Sequence, residues 1–239
     1  MKTLLLIFLL SILFTSCAQK SYTGTINNWS HNKADIILPS EEPIVIGTVS
    51  DQGEVVLSLQ EDLVQTLRRL QAQENKNSNI TIKNSTVRDA FYCDDTMVAV
   101  KNGEIVLEKA TSRGTFYVGD LENKELYGQL RLSSSTAFNE SYFSLGKKDF
   151  VQGYYIDYFY VPAPASVKGE CRTETFTLDL KDTFYSTVIY DIELEAGWNL
   201  VKIEVVDTYT DQEGNARPLV TKMESIKELP EETQFLLSN

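Results

Sequence analysis

The sequence predicts an all-β fold, an antiparallel β-sandwich built as one large unit or as two docked modules, with one amphipathic helix near residues 59–74. Three observations carry that reading. Short runs of β-branched and aromatic residues recur along the chain between turn residues. Alternating positions such as Phe184, Ser186, Val188, Tyr190, Ile192 and Leu194 give a strand one inward face. One stretch breaks this period of two, where Leu59, Leu63, Leu67 and Leu70 recur at helical spacing.

In order, the chain opens with Met1-Lys2-Thr3, an apolar run from Leu4 to Phe14, and the small residues Thr15-Ser16 before Cys17. A positive charge, a short apolar segment and small residues are the parts of an export signal, and the run is shorter than the roughly 20 residues that span a bilayer. Phe14-Thr15-Ser16-Cys17 resembles the bacterial lipobox, in which cleavage precedes the cysteine and lipid is attached to its sulfur and new amino terminus. The resemblance implies a signal peptide over 1–16 and a lipid anchor on Cys17. Ala18 in place of an acidic residue, and Gln19-Lys20-Ser21 in place of an acidic cluster, point to the outer membrane facing the periplasm. Residues 17–23 lack apolar periodicity and read as a tether.

Strand signals follow at Gly24-Thr25-Ile26, Ala34 to Leu38, Ile44 to Val49 and Glu54 to Leu59, an antiparallel meander. Gly24-Thr25-Ile26-Asn27-Asn28-Trp29, with Val49-Ser50-Asp51-Gln52-Gly53-Glu54-Val55, resembles the first module of uncharacterised β-sandwich lipoproteins of bacterial envelopes. Ser58-Leu59-Gln60-Glu61 is a capping box that predicts the helix start, and the leucine stripe is a core-facing seam. Asn102-Gly103 predicts a type I′ hairpin pairing Lys101 with Glu104, Val100 with Ile105 and Val98 with Leu107. Strands are then expected at Thr115 to Val118, Leu126 to Leu132, Ser141 to Leu145, Tyr154 to Val161, Val167 to Cys171 and Thr173 to Leu180. The long strand ending at Leu194 turns through Glu195-Ala196-Gly197-Trp198 into a partner carrying Val201, Ile203 and Val205 inward. Pro218 to Ile226 forms the last strand, and Phe235-Leu236-Leu237 tucks back onto the fold. Arg113-Gly114 and Gly119-Asp120 suggest modules over 24–118 and 119–230, with a tail over 231–239; one continuous sandwich is the competing organisation.

The formal charge is −12, and cleavage before Cys17 removes Lys2 alone, leaving 21 basic against 34 acidic residues, a net of −13. Such a surface repels phosphate backbones and anionic headgroups, so nucleic acid is excluded as a partner and the lipid must supply membrane attachment. With Cys17 assigned to lipid, Cys93 and Cys171 form either a disulfide suited to an oxidising compartment or two buried thiols.

No arrangement of residues carries a catalytic signature. His31 is the single histidine and reads as a loop residue, without the companions of a zinc site or a catalytic triad, and no metal or cofactor is expected. Asp94-Asp95 read as solvated loop acids, because neighbours on a strand face opposite ways. Asn79-Ile80-Thr81, Asn84-Ser85-Thr86 and Asp95-Thr96-Met97 match short glycosylation patterns. In the aromatic run, Tyr154, Tyr158 and Tyr160 share one face, which serves either as a sugar-stacking surface or as one side of a strand buried between layers. The sequence thus predicts a lipid-anchored, non-catalytic envelope protein acting in interaction, assembly or adhesion. The alternatives are a glycan-binding accessory lipoprotein and a carboxylate-based hydrolase.

Overall fold

Antiparallel pairing, broken by a single parallel pair, joins fourteen strands into one continuous sheet that bends back on itself and carries three short or medium helices among the described residues. The computed structural model describes residues 20–38, 40, 43–77, 84–94, 97–144, 146–177 and 183–238. In chain order the elements are β1 (Lys20–Thr25), β2 (Ala34–Leu38), β3 (Ile44–Val49), β4 (Glu54–Leu59), α1 (Glu61–Asn77), α2 (Val87–Ala90), β5 (Ala99–Lys101), β6 (Glu108–Lys109) and β7 (Phe116–Asp120). They continue with β8 (Glu125–Ser133), α3 (Thr136–Tyr142), β9 (Gly153–Val161), β10 (Ala165–Phe176), β11 (Thr183–Leu194), β12 (Gly197–Thr210), β13 (Ala216–Ile226) and β14 (Gln234–Ser238). The all-β, sandwich-like class expected from the sequence is the class observed.

One arm of the sheet runs β1-β4-β3-β2-β7-β8, with β14 added along β8. A bridge between Ile26 and Phe235 brings β14 back to the end of β1, so this arm wraps almost closed around its own apolar face. Val55, Leu57 and Leu59 of β4, Phe116 and Val118 of β7, and Leu130 and Leu132 of β8 alternate inward to fill it. The approach is close enough that a Cβ on Gly24 would sit 2.1 Å from the Phe235 ring. The second arm runs β9-β12-β13-β11-β10-β5 and packs its own core around Val161, Val167, Ile192, Val201 and Val205.

The two cores meet at β9. Tyr154, Ile156 and Tyr158 point into the first, while Tyr155, Phe159 and Val161 point into the second. β12 does the same with Trp198 and Leu200 on one side and Val201, Ile203 and Val205 on the other. Strands buried on both faces read as near-continuous apolar runs, which is the pattern of Tyr154 to Val161. Helix α1 lies against the first core through Leu63 and Val64 and is pinned by Trp198 Nε1 donating to Gln60 O (2.9 Å) and by the Arg68–Glu108 ion pair (2.9 Å).

Several local expectations are corrected. Lys20–Thr23 are not a tether but the start of β1, where Tyr22 enters the core opposite Leu57. Helix α1 starts at Glu61, two residues later than expected, because Ser58 and Leu59 complete β4. The Asn102-Gly103 hairpin does not form. Asn102 alone takes a positive φ (56°), whereas a type I′ turn needs two such residues. The carbonyls of Gly103 and Ile105 instead accept the otherwise unpaired first N–H groups of α2, from Arg88 and Val87 (both 2.9 Å), and β5 pairs outward with β10. β11 and β12 are joined by a tight turn yet do not pair; β13 lies between them, parallel to β11 and antiparallel to β12. Asn199 closes that turn, accepting from Glu195 N (2.9 Å) and donating to Glu195 O and Gly197 O (both 2.8 Å). Ser141 belongs to α3 rather than to a strand, since Ser135 caps a helix there by accepting from Phe138 N (3.1 Å). Phe235 does tuck back, as part of β14. The boundary expected at 118/119 falls inside β7, and Leu145 and residues 178–180 lie outside the described residues.

Cys93 and Cys171 are bonded, with Cα atoms 5.8 Å apart, tying the segment after α2 to β10. The bridge closes a loop of 78 residues' separation. On the chain-entropy account that contributes about 4.5 kcal/mol. Urea unfolding with and without dithiothreitol is expected to show a loss of that order on reduction, and an unchanged midpoint would refute it.

Candidate functional site

The outer face of β7 and β8 builds the site. Because β-strand side chains alternate, the residues that fill the first core from these strands leave Thr115, Tyr117, Gln129 and Arg131 on the opposite side. On a bare sheet those four would face water. Here the face is roofed by the 110–115 loop, by Leu67 of α1, by Leu38 at the end of β2 and by Phe143 just after α3, leaving a recess of about 580 Å³.

Arg131 sits at its base, 8% exposed. Its guanidinium donates to Thr115 Oγ1 (2.8 Å), Ser238 Oγ (3.0 Å) and Gln129 Oε1, and it stacks 4.1 Å from the centre of the Phe143 ring. Gln129 in turn donates to the Tyr117 hydroxyl (3.4 Å), fixing the amide with its oxygen toward Arg131. Every one of these acceptors is neutral, and no carboxylate pairs with Arg131 among the described residues. Burial lowers its pKa from the ordinary value, with Tyr117 acting against the shift, yet a guanidinium remains charged at neutral pH. Taking such a cation out of water without a counter-charge costs on the order of several kcal/mol, which three neutral hydrogen bonds and one ring contact offset without neutralising the charge.

The rest of the lining has the same character. Arg113 and Ser112 stand exposed on the loop, and Thr111 carries a buried hydroxyl with no hydrogen-bond partner. In a chain with 34 acidic residues, no acidic side chain lines this recess among the described residues. The contrast is a second recess of about 610 Å³ on the β10–β11 surface, where Lys168 pairs with Asp191 and with Glu193 (3.1 Å) and Lys227 pairs with Glu195. There the charges are already matched. The Arg131 recess, by contrast, holds a buried cation without a counter-charge among the described residues, and it can receive an anion.

The loop that roofs it is held from below by Asp157. This carboxylate, 2% exposed in the middle of β9, accepts from Gly114 N (3.0 Å) and Tyr158 N (2.9 Å) through one oxygen. Ala110 N donates to Tyr158 O (3.2 Å) at the other end of the loop. Gly114 takes a positive φ of 60°, and a Cβ there would lie 2.0 Å from Ile156 O, so only glycine fits this approach.

The sites expected from the sequence fall elsewhere. Tyr154 and Tyr158 are core residues, not ligand-facing ones: Tyr158 is fully buried between Tyr22 and Phe116, and the Tyr154 hydroxyl bonds Thr233 Oγ1 at 3.0 Å. Tyr160 is half-buried against Trp198. The strand buried between layers is thus the structural alternative realised. His31 is exposed and stacks on Tyr127 (centroids 4.0 Å apart) beside Trp29. Asp94 accepts from the Tyr92 hydroxyl. Cys17, Asp95, Thr96 and Asn79-Ile80-Thr81 lie outside the described residues. Arg131, Arg113 and Thr111 escaped the sequence reading; the signal available was Gln129-Leu130-Arg131-Leu132, whose alternation puts Arg131 opposite the core.

Burial pushes the Asp157 carboxyl up from 3.8 to about 6, against the pull of the two N–H donors and Lys109. Between those values the folded protein keeps a proton that the unfolded chain has released. This group's contribution to stability therefore falls as pH rises through that window, by roughly 3 kcal/mol in full, and is unchanged below it, where both states are protonated. Asp157→Asn keeps an oxygen acceptor and removes the titration. The stability difference, variant minus native, is expected to rise by that order between pH 3.5 and pH 7 in urea titrations; a flat difference would show that Asp157 titrates normally.

No protein-family model matches this chain, and neither a curated protein nor a solved structure matches it, so the geometry of the Arg131 recess is what bears on function.

Proposed function

We propose that this chain is an exported, lipid-anchored and non-catalytic binding protein of the bacterial cell envelope, whose binding element is the Arg131 recess and whose ligand is anionic. The observation that carries the reading is a guanidinium 8% exposed, held by neutral acceptors and facing a recess without acids. A buried charge of this kind is costly to stability and is retained where it meets a ligand. The anchor rests on the lipobox-like Phe14-Thr15-Ser16-Cys17. A lipid on Cys17 suits a chain whose net charge of −12 disfavours electrostatic attachment to an anionic membrane surface. Of the sequence-based alternatives, a glycan-binding accessory fits an open recess of this size better than an adhesive strand edge does.

Two measurements test this. Changing Cys17→Ser is expected to move the protein from the membrane fraction to the soluble fraction; continued sedimentation with membranes would remove the anchor. Arg131→Met, an apolar replacement of similar reach, leaves three acceptors without their donor but removes the buried charge, and is expected to cost less than about 3 kcal/mol. A loss above about 3 kcal/mol would make Arg131 a structural residue and remove the binding reading.

A further inference from the structure

We propose that the Arg131 recess binds an acidic saccharide, a pyranose ring carrying a carboxylate, with Arg131 taking the carboxylate and the recess walls taking the ring. This rests on the reading of the recess as the binding element and adds the chemistry of its ligand. A guanidinium has five N–H donors in a planar fork. Three are used, one each for Thr115, Ser238 and Gln129, and two remain. Two donors of one guanidinium match the two oxygens of a carboxylate. Stacking on Phe143 and the three hydrogen bonds hold the fork in place before any ligand arrives, so little rotamer freedom is lost on binding.

The remaining lining decides between a bare anion and an organic one. An inorganic anion would need one small basic pocket. This recess of about 580 Å³ instead sets the buried cation, with exposed Arg113 on the loop above it, among neutral hydrogen-bonding groups and an apolar side. Ser112 and Tyr117 carry hydroxyls on the wall, and the hydroxyl of Thr111 is buried without a partner. Leu38 and Leu67 supply hydrocarbon on the lining. Hydroxyl groups beside hydrocarbon are the complement of a sugar ring, which has hydroxyls at its rim and C–H bonds on its faces. The net charge of −12 disfavours a polyanion, which would meet repulsion beyond the recess, and favours a ligand with a single negative charge. Hydrolysis of a glycosidic bond by an acid and base pair calls for two carboxyl groups beside it, and the lining presents none among the described residues.

The test is calorimetric titration of the full chain in neutral detergent with D-galacturonate, D-glucuronate and N-acetylneuraminate, beside D-galactose and inorganic phosphate. At least one acidic sugar is expected to bind ten times or more tightly than galactose and phosphate. Arg131→Gln is expected to weaken that binding tenfold or more. Arg113→Ala, an exposed change outside the Arg131 hydrogen-bond network, is expected to weaken it severalfold while leaving the thermal midpoint unchanged, which keeps the test valid if Arg131→Gln folds poorly. Phosphate binding as tightly as the acidic sugars, and lost with Arg131, would leave the anion recess standing and overturn the saccharide. Galactose binding as tightly as the acidic sugars would overturn the role of the carboxylate. No binding by any probe would overturn both the saccharide and the recess as a binding element.

Discussion

The carboxylate of Asp157 is the point on which the site depends. β9 is buried on both faces, so a charged side chain in its middle has no route to water and must find donors inside the protein. It finds the N–H groups of Gly114 and Tyr158. The first of these belongs to the 110–115 loop, and the bond fixes that loop against the strand that joins the two cores. Thr111, Arg113 and Thr115 are thereby held over the outer face of β7 and β8, where Arg131 lies. A leucine at 157 would serve the packing of β9 as well or better, but it would leave the Gly114 N–H unpaired and the loop without its tether. The buried acid on one side of the loop and the buried base on the other do not touch; each is satisfied through the backbone or neutral side chains, and the base is left with donors to spare.

Much of this architecture was legible from the sequence, and the reasons divide cleanly. Alternation located β3, β4, β8, β9 and the long β11 because a strand's own residues determine which face is apolar. The leucine spacing of α1 was legible for the same local reason, whereas the sequence leaves open whether Cys93 and Cys171, 78 residues apart, are bridged. Strand partners were not. Glu195-Ala196-Gly197-Trp198 looks like the turn of a paired hairpin, and only the nonlocal insertion of β13 separates β11 from β12. Asn102-Gly103 carries the residues of a hairpin turn, yet only Asn102 takes a positive φ and the segment after it turns the Gly103 and Ile105 carbonyls to the N-terminal donors of α2. Thr86 and Asp89, which form the reciprocal cap of that helix, were visible in the sequence and were the competing signal.

The candidate site was harder to see because its two ingredients are of different kinds. That Arg131 faces away from the core follows from Leu130 and Leu132 on either side. That the outward face is covered does not follow from anything near residue 131, since the cover comes from residues 38, 67, 110–115, 143 and 238. The opposite error arose with Tyr154 and Tyr158. Tyrosines on one strand face suggest a stacking surface, but the neighbouring arm wraps over them and turns that face into core. In both cases the strand pattern gave the direction of the side chain correctly, and tertiary covering decided what lay in that direction.

The last strand connects the closure of the fold to the site. β14 pairs along β8 from Gln234 to Ser238, so its alternation sends Phe235 inward against Gly24 and places Ser238 beside Gln129 and Arg131. Phe235 completes the apolar filling of the first core, and three residues later Ser238 accepts a hydrogen bond from the Arg131 guanidinium. Arg131 is therefore held by Thr115 at the end of the loop that leads into β7, by Gln129 of β8 and by Ser238 of β14, and the register of these strands is set by the core beneath them. A cation fixed in this way cannot swing out to find a counter-charge on the acidic surface, as a flexible lysine would. Its two remaining donors stay aimed where the fold puts them, and the counter-charge has to come to it.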